Sequence, residues 1–185
     1  NAIDYDLCIL AIGVKPETDL ARKAGLETNR VIIVDEYLKT SNEFICAAGD
    51  NIEAKDFVSG QNTLLPLAGP ANRQGRIVAD NICGFNSTYK NTQGTSVIKI
   101  FDLTVASSGN NEKQLKHKEI PYWKTYVYGR SHAGYYPNSD IILYKLLFSN
   151  DGKILGIQGI GESGVEKRVD VIATIMRNNG TVQDM

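Results

Sequence analysis

Residues 65–76 read Leu-Pro-Leu-Ala-Gly-Pro-Ala-Asn-Arg-Gln-Gly-Arg, a turn of small residues that runs directly into a helical segment. Prolines frame the entry to this segment, and we predict a helix over residues 71–83 that ends at Gly84. Small residues allow a ligand to approach the backbone closely, and the amides of a helix start attract an electron-rich group. The stretch therefore predicts a binding turn at the start of a helix.

Asn72, Arg73 and Arg76 fall in the first turns of this predicted helix. Basic side chains at a helix start oppose the helix macrodipole, so they are unfavourable there unless they serve another purpose. We interpret them as binding residues, with a solvated helix face as the alternative.

The residues upstream of this turn follow the order strand, turn, helix, which is typical of α/β domains. Residues 5–13 are an almost uninterrupted apolar run, as expected of a buried strand in a parallel sheet. We predict a helix over residues 17–24 and two further short strands over residues 31–34 and 44–48. This half of the chain is therefore predicted to be α/β.

The strand predicted over residues 44–48 delivers Gly49 and Asp50 to its carboxyl end. Ligands of open α/β sheets bind at that end of the strands. Glycine lets the backbone approach a cofactor, and an aspartate can accept a hydrogen bond from a sugar or polyol hydroxyl. A helix N-cap is the alternative role of Asp50.

The second half of the chain has a different pattern. Residues 85–94 are rich in Asn, Ser, Thr and Gly, which predicts a linker and a domain boundary. Asp-Gly between two β-rich runs further on is a strong hairpin signal. We predict strands over residues 96–105, 124–128, 141–148 and 153–159, and a helix over residues 165–178. This half is therefore predicted to be α+β.

The composition excludes several classes of protein. The 185 residues are 42% hydrophobic with a formal net charge of -1, which suits one medium domain or two small ones. No basic run provides a footprint for nucleic acid or an anionic membrane. No apolar stretch reaches the roughly 18 to 20 residues that span a bilayer, and the start does not resemble a signal peptide. We expect a cytoplasmic protein.

The cysteine and histidine residues do not predict a disulfide, a redox site or a metal site. Cys8, Cys46 and Cys83 are odd in number and have no CxxC spacing, which argues against a disulfide framework, a zinc ribbon or a redox dithiol. Cys8 and Cys46 lie in apolar runs, so we expect small buried hydrophobic residues there. His117 and His132 have no metal ligands nearby in sequence and are expected to be structural or solvated.

Both ends of the sequence suggest a piece of a larger protein. Residues 181–184 have the spacing of a capping box, a helix start signal without room for a helix after it. The run over residues 5–13 predicts a buried parallel strand for which the chain does not obviously supply neighbours.

These motifs resemble the FAD-dependent pyridine nucleotide-disulfide oxidoreductases, and within them the branch of coenzyme A-disulfide reductases and NADH oxidases. Residues 66–76 are the most specific match and are similar to the branch itself. The other matches cover essentially the whole chain in the order of the family's carboxyl-terminal part. They are residues 12–17, 34–41, 48–50, 132–137 and 164–173.

The resemblance implies an α/β remnant of the nucleotide-binding domains followed by an α+β dimerisation domain. Residues 1–30 would be the end of an NAD(P)H-binding domain and residues 31–93 the carboxyl-terminal part of an FAD-binding domain. Residues 94–185 would be a dimerisation domain truncated at its end.

The resemblance also implies two sets of binding residues. Asp50 would hold ribityl or ribose hydroxyls of FAD, amides of residues 65–68 would face the pyrimidine edge of the flavin ring, and Asn72 would lie toward a thiol substrate such as coenzyme A. The cofactor-binding residues would be Gly49, Asp50, Leu65, Leu67, Ala68, Tyr135 and Tyr136. The substrate-binding residues would be Asn72, Arg73 and Arg76.

The tyrosine pair has two interpretations. Tyr135 and Tyr136 on a loop are by themselves typical of a half-buried aromatic pair. In the family that the chain resembles, a tyrosine of this motif reaches across a homodimer to the partner's flavin site.

The function implied is transfer of electrons from NAD(P)H through FAD to coenzyme A disulfide or a related persulfide. The alternatives are an NADH oxidase that reduces oxygen and, for the isolated chain, a dimerisation module without catalysis. The sequence lacks the family's amino-terminal half, with its dinucleotide-binding glycine motif, and has no cysteine in the context of the family's redox-active one. We therefore expect no catalytic residue and no metal site in this chain, and we expect that it does not retain FAD or NAD(P)H by itself.

Overall fold

A computed structural model describes residues 4–185 of the chain. Its α-helices are α1 (Asp19–Lys23), α2 (Ala68–Ile82), α3 (Glu112–His117) and α4 (Val165–Arg177). Its strands are β1 (Ala54–Lys55), β2 (Asn62–Thr63), β3 (Ser96–Ile100), β4 (Leu103–Gly109), β5 (Trp123–Arg130), β6 (Ile141–Phe148) and β7 (Ile154–Gly161). Two short 3-10 helices lie at Gly49–Asn51 and Val182–Asp184. Within residues 4–185, every helix is too short or too polar to cross a membrane.

The second half of the chain is built on a five-stranded antiparallel sheet in the order β3-β4-β7-β6-β5. The hairpin predicted from Asp-Gly joins β6 to β7, and Gly152 adopts the positive φ that the turn requires. The prediction of one strand over residues 96–105 was wrong, because the chain reverses at Phe101-Asp102 and forms the β3–β4 hairpin. Phe101 takes a φ of 52°, which a continuous apolar run does not predict.

Helix α4 covers one face of this sheet and forms the main core. Its stripe of apolar residues is buried as the periodicity predicted: Val165, Val169, Ile172 and Met176. They pack against sheet residues that alternate along the strands, as expected for a sheet with one buried face: Ala106, Ile142, Tyr144, Leu146 and Ile157. The predicted α+β organisation of this half is confirmed.

The first half of the chain contains less regular structure than predicted. The strands predicted over residues 31–34 and 44–48 are reduced to single bridges, such as the bridge of Ile32 with Ile52. A ladder needs a neighbouring strand along its whole length, and the described residues offer only short partners here. The helix predicted over residues 71–83 forms as α2, which begins about one turn before the predicted start, at Ala68.

The segment over residues 85–94 is not a free linker. The Tyr89 N–H donates to the Glu36 carbonyl (2.8 Å), and the Thr92 N–H donates to the Lys55 carbonyl (2.8 Å). Tyr89 joins a small core with Leu38 and Ile52. Polar composition predicted a loop correctly, but it did not predict that the loop is fastened to the first half of the chain.

The strand predicted over residues 5–13 is absent from the described structure. Residues 4–13 are irregular and exposed, and 91% of Ile12 is accessible to solvent. Cys8 is consequently exposed rather than buried. The physical reason is that a parallel strand is stabilised by neighbours on both sides, and no described strand pairs with this segment.

A buried ionic cluster joins the two halves of the chain. The Asp56 carboxylate, 5% exposed, accepts hydrogen bonds from the Lys118 ammonium (2.8 Å), the Asn110 amide (2.8 Å) and the Ser59 N–H (3.0 Å). Burial raises the pKa of Asp56, but the hydrogen bonds from Lys118, Ser59 and Asn110 together outweigh burial and leave the pKa below its ordinary value of 3.8. The cluster therefore stabilises the fold while Asp56 is ionised.

We expect Asp56→Ala to lower the free energy of unfolding by about 3 to 5 kcal/mol at pH 7, because it leaves the Lys118 ammonium buried without its partner. The folded pKa is depressed, so this contribution is present above the unfolded pKa and is lost as the pH falls through the folded pKa. Urea denaturation at a series of pH values measures both effects. Asp19→Ala, which removes an exposed ion pair with Arg22 (3.8 Å), is the control and should cost at most about 1 kcal/mol. Equal losses in the two variants would contradict the prediction.

Candidate functional site

The Gly49-Asp50 turn lies against the amino-terminal half of helix α2. Gly49 has a φ of +83°, and its N–H donates to the Gln74 side-chain oxygen (2.7 Å). Gln74 is only 3% exposed, so this hydrogen bond is shielded from water. A Cβ built on Gly49 would lie 3.8 Å from the Cβ of Ala71. The turn and the helix are thus fixed relative to each other.

Asp50 does not serve as a helix cap. The 3-10 helix at Gly49–Asn51 begins after Ala48 and has no side-chain cap. Among the described residues, the Asp50 carboxylate accepts no hydrogen bond and forms no ion pair. The alternative role considered for Asp50 is therefore wrong, and its carboxylate is exposed and available to a ligand.

Helix α2 begins with amides that are not used inside the helix. Leu67 precedes the helix in an extended conformation and provides no side-chain cap. Ala68 and Gly69 are the first helical residues, Pro70 has no N–H, and the Ala71 N–H donates to the Leu67 carbonyl (3.2 Å). The first turn thus presents two N–H groups and a positive dipole end, which together favour an electron-rich partner.

Of the three predicted basic or polar residues of α2, only Arg73 lines the cleft toward α4. Asn72 and Arg76 are four residues apart and share one helix face, where both are exposed. The Asn72 amide donates back to the Ala68 carbonyl (3.1 Å), which leaves its side-chain oxygen free. Arg73 instead lines a cleft of about 570 Å³ between α2 and α4, together with Asp170.

A second cleft, of about 260 Å³, lies behind the turn that precedes α2. Leu65 and Leu67 form one side of it, and polar residues of the five-stranded sheet form another, including Ser107 and Gln158. The Asp56–Lys118 pair borders the same cleft. The predicted cofactor turn is therefore in contact with the second half of the chain.

Tyr135 and Tyr136 lie on the loop between β5 and β6, with 86% and 58% of their surfaces exposed. Their ring centroids are 5.2 Å apart. This pair is not half-buried, so the packing role that the sequence alone suggested is wrong. Neither tyrosine lines the two clefts next to α2. Within one chain, the tyrosine loop and the α2 turn are separate surface features.

The sheet face opposite α4 carries an exposed apolar row. The register places five side chains side by side across all five strands: Ile98, Val105, Ile160, Leu143 and Tyr128. Ile98 is 57% exposed and Tyr128 is 75% exposed.

At one end of this face the Lys145 ammonium pairs with Glu112, and hydrogen bonds from Lys145, Tyr122 and Lys124 lower the pKa of Glu112 to about 2.

Sequence reasoning missed two groups of residues that support these surfaces. Gln74 lies within the quoted helix start, but its buried contact with Gly49 is not visible from spacing. Helix α3 has a capping box formed by Asn111 and Gln114, a spacing that could have predicted it. Among residues 4–185, no group of three or more His, Cys, Asp or Glu is arranged to hold a metal ion.

Two family models match this chain. The pyridine nucleotide-disulphide oxidoreductase model matches residues 1–75, and the dimerisation domain of the same family matches residues 95–185. The crystal structure of reduced Bacillus anthracis CoADR-RHD has a TM-score of 0.94 and 54% identity, and the match covers 98% of this chain and 33% of that chain.

Two curated relatives show the same pattern. NADH oxidase from Methanocaldococcus jannaschii is 35% identical over 92% of this chain and 38% of its own length. Coenzyme A disulfide reductase from Staphylococcus epidermidis is 31% identical over 98% of this chain and 42% of its own length. The chain thus spans about two fifths of these curated relatives. The two models together match nearly all of its residues, and with the structural agreement they show that the chain belongs to the pyridine nucleotide-disulphide oxidoreductase family.

Proposed function

We propose that this chain is part of a flavoprotein oxidoreductase that passes electrons from NAD(P)H through FAD to coenzyme A disulfide or a related persulfide. The observation that carries the proposal is the free Asp50 carboxylate beside a helix start with two free amides. The similarity to a coenzyme A disulfide reductase supports this choice of acceptor. An NADH oxidase that reduces oxygen is the second candidate, supported by the relative from Methanocaldococcus jannaschii.

The residues of the turn fit FAD. The Asp50 carboxylate has no protein partner among the described residues and can accept hydrogen bonds from ribityl or ribose hydroxyls. Gly49 keeps the backbone accessible at this point. Leu65, Leu67 and Ala68 would lie at the pyrimidine edge of the ring. FAD, when bound, supplies the two-electron transfer between NAD(P)H and the acceptor.

The exposed face of α2 fits an anionic thiol substrate such as coenzyme A. Arg76 carries a charge without a described carboxylate partner, and Asn72 has a free side-chain oxygen on the same face. Arg73 contributes from the cleft toward α4, so it would meet a different part of the substrate. These residues would bind and orient the substrate, and none of them would take part in electron transfer.

The domain organisation of the proposal follows the resemblance. Residues 1–30 would end an NAD(P)H-binding domain, residues 31–93 would belong to an FAD-binding domain, and residues 94–185 would form a dimerisation domain. A homodimer would cover the apolar row on the free sheet face. The exposed tyrosine loop would then serve the partner's flavin site through Tyr135 or Tyr136.

We expect Asp50→Ala in the full-length protein to weaken FAD binding about tenfold to hundredfold. A hydrogen bond to a charged group contributes roughly 1.5 to 3 kcal/mol, which corresponds to that loss of affinity. Titration of the apoprotein with FAD measures the change, and Asp19→Ala is the matched control. Wild-type FAD affinity combined with a large fall in melting temperature would show that Asp50 is structural.

We expect the isolated 185-residue chain to have no NAD(P)H oxidation activity. The GxGxxG spacing of this chain, residues 159–164, lies between β7 of the antiparallel sheet and α4 and not in a βαβ unit, and no cysteine lies in a redox-active context. NADH absorbance at 340 nm, followed with added FAD and with each acceptor, tests this directly. Sustained turnover above a heat-treated control would contradict it.

We expect the tyrosine to act in trans. Two strongly impaired full-length variants are mixed, one that lacks the family's redox-active cysteine and one with Tyr135→Phe and Tyr136→Phe, which is expected to keep a small residual kcat. Random exchange makes half of the dimers mixed, each with one complete site, so about one quarter of wild-type activity should return. If activity stays absent although exchange is demonstrated, the tyrosine serves the site of its own chain.

A further inference from the structure

The loop that carries Tyr135 and Tyr136 is closed at its base by reciprocal hydrogen bonds. The Ser131 N–H donates to the Asp140 carbonyl (2.9 Å), and the Asp140 N–H donates to the Ser131 hydroxyl oxygen (2.9 Å). The Arg130 guanidinium bridges the loop to the Ser139 carbonyl (2.9 Å). The loop is therefore a compact unit whose orientation depends on what holds its base.

Arg168 of helix α4 holds that base. Its Nη2 donates to the carbonyls of Ser131 (2.8 Å) and Arg130 (3.1 Å), and its Nη1 donates to the Gly164 carbonyl (3.1 Å). One planar guanidinium thus joins the last residue of β5 and the first residue of the loop to the start of α4. An ammonium group cannot reproduce this fork, because its donors radiate from a single nitrogen.

The surroundings of Arg168 fix the guanidinium on a rigid support. Val165 and Val169, on the buried stripe of the same helix, are 0% and 1% exposed. Gly164 has a φ of +72°, and a Cβ at this position would lie 3.1 Å from the Arg168 Nη1. Glycine here both permits the left-handed conformation and leaves room for the guanidinium.

We infer that Arg168 is a positioning residue for the tyrosine loop: it sets the direction in which Tyr135 and Tyr136 extend toward the partner's site. The inference rests on the proposed function, in which these tyrosines serve that site. Arg168 reaches the loop through the backbone carbonyls of residues 130–131, and no hydrogen bond of the described residues joins it to either tyrosine of the loop. It is therefore not a catalytic residue. Its guanidinium also lies near the Tyr144 hydroxyl in the core.

The first test compares Arg168→Ala and Arg168→Lys in the full-length enzyme. A small misplacement of an active-site group can cost about a hundredfold in rate, so we expect kcat to fall about tenfold to hundredfold in both variants while KM for NAD(P)H stays unchanged. Lys167→Ala is the matched control, since Lys167 is the preceding helix residue, is exposed and has no described hydrogen bond. Unchanged kcat in both Arg168 variants would overturn the inference.

The second test separates positioning from general stability. In a background of Tyr135→Phe and Tyr136→Phe, Arg168→Ala should change kcat by less than about twofold, because residues that act through one another are not additive. The melting temperature should fall equally in both backgrounds. A loss of kcat in the tyrosine background as large as in wild type would assign Arg168 a structural role only.

The third test uses mixed dimers, and it distinguishes the inference from the proposed function. Arg168→Ala mixed with the cysteine variant should recover activity, whereas Arg168→Ala mixed with the tyrosine variant should not, because both variants impair the tyrosine loop and every mixed dimer then lacks an intact loop. If the tyrosine and cysteine variants complement each other but the Arg168 and cysteine variants do not, the inference fails and the proposed function stands. If the tyrosine and cysteine variants fail to complement, the trans role fails, and the double-variant kcat then decides whether Arg168 positions the tyrosines.

Discussion

A buried carboxylate oxygen of Asp56 is the centre of the ionic cluster that joins the two halves of this chain. It accepts hydrogen bonds from its own turn through Ser59 and from the second half through Asn110 and Lys118. An ion pair at this depth is tolerated only when each charge is fully partnered. Asp56 and Lys118 border the same cleft as Leu65 and Leu67, so the cluster adjoins the turn that precedes α2. Residues that would never touch a cofactor thus support the proposed cofactor surface from behind.

The arrangement separates the two proposed binding surfaces within one chain. The α2 turn and Asp50 lie on one surface, and the tyrosine loop extends from another without lining the same clefts. A two-fold dimer is the simplest assembly that brings such surfaces together, because each chain then supplies one of each to two equal sites. Helix α4 contributes to this separation in two ways. Its buried stripe packs against the sheet, and its Arg168 donates hydrogen bonds to the base of the tyrosine loop.

The sequence predicted best where local and tertiary preferences agree. The stripe on α4 and the β6–β7 hairpin are local patterns, and both form as predicted. Prediction from sequence failed where an element needs partners distant in sequence. The strand predicted over residues 5–13 is such a case, because a parallel strand forms only beside neighbouring strands. Of the candidate site, the residue pattern indicated the turn and the helix start, whereas the tyrosine loop was proposed only from the family resemblance. The pattern did not show that Arg73 lines the cleft toward α4. The contacts of Gln74, Asp56 and Arg168 join segments far apart in sequence and have no local signature.

The exposed apolar segment over residues 4–13 has a consequence for how this chain associates. Its apolar, weakly charged residues have high β-propensity, and its backbone N–H and C=O groups have no strand partner among the described residues. We expect such a segment in the isolated chain to pair with copies of itself through the main chain, and each added strand would leave a new edge, so growth would be open-ended. Pairing through the sheet face of Ile98 and Tyr128 would differ from this. A two-fold contact covers the same face on both chains, so no copy of that face stays free to bind a third chain. If the sheet face pairs as proposed, the isolated chain contains one surface whose pairing is self-limiting and one segment whose pairing is not.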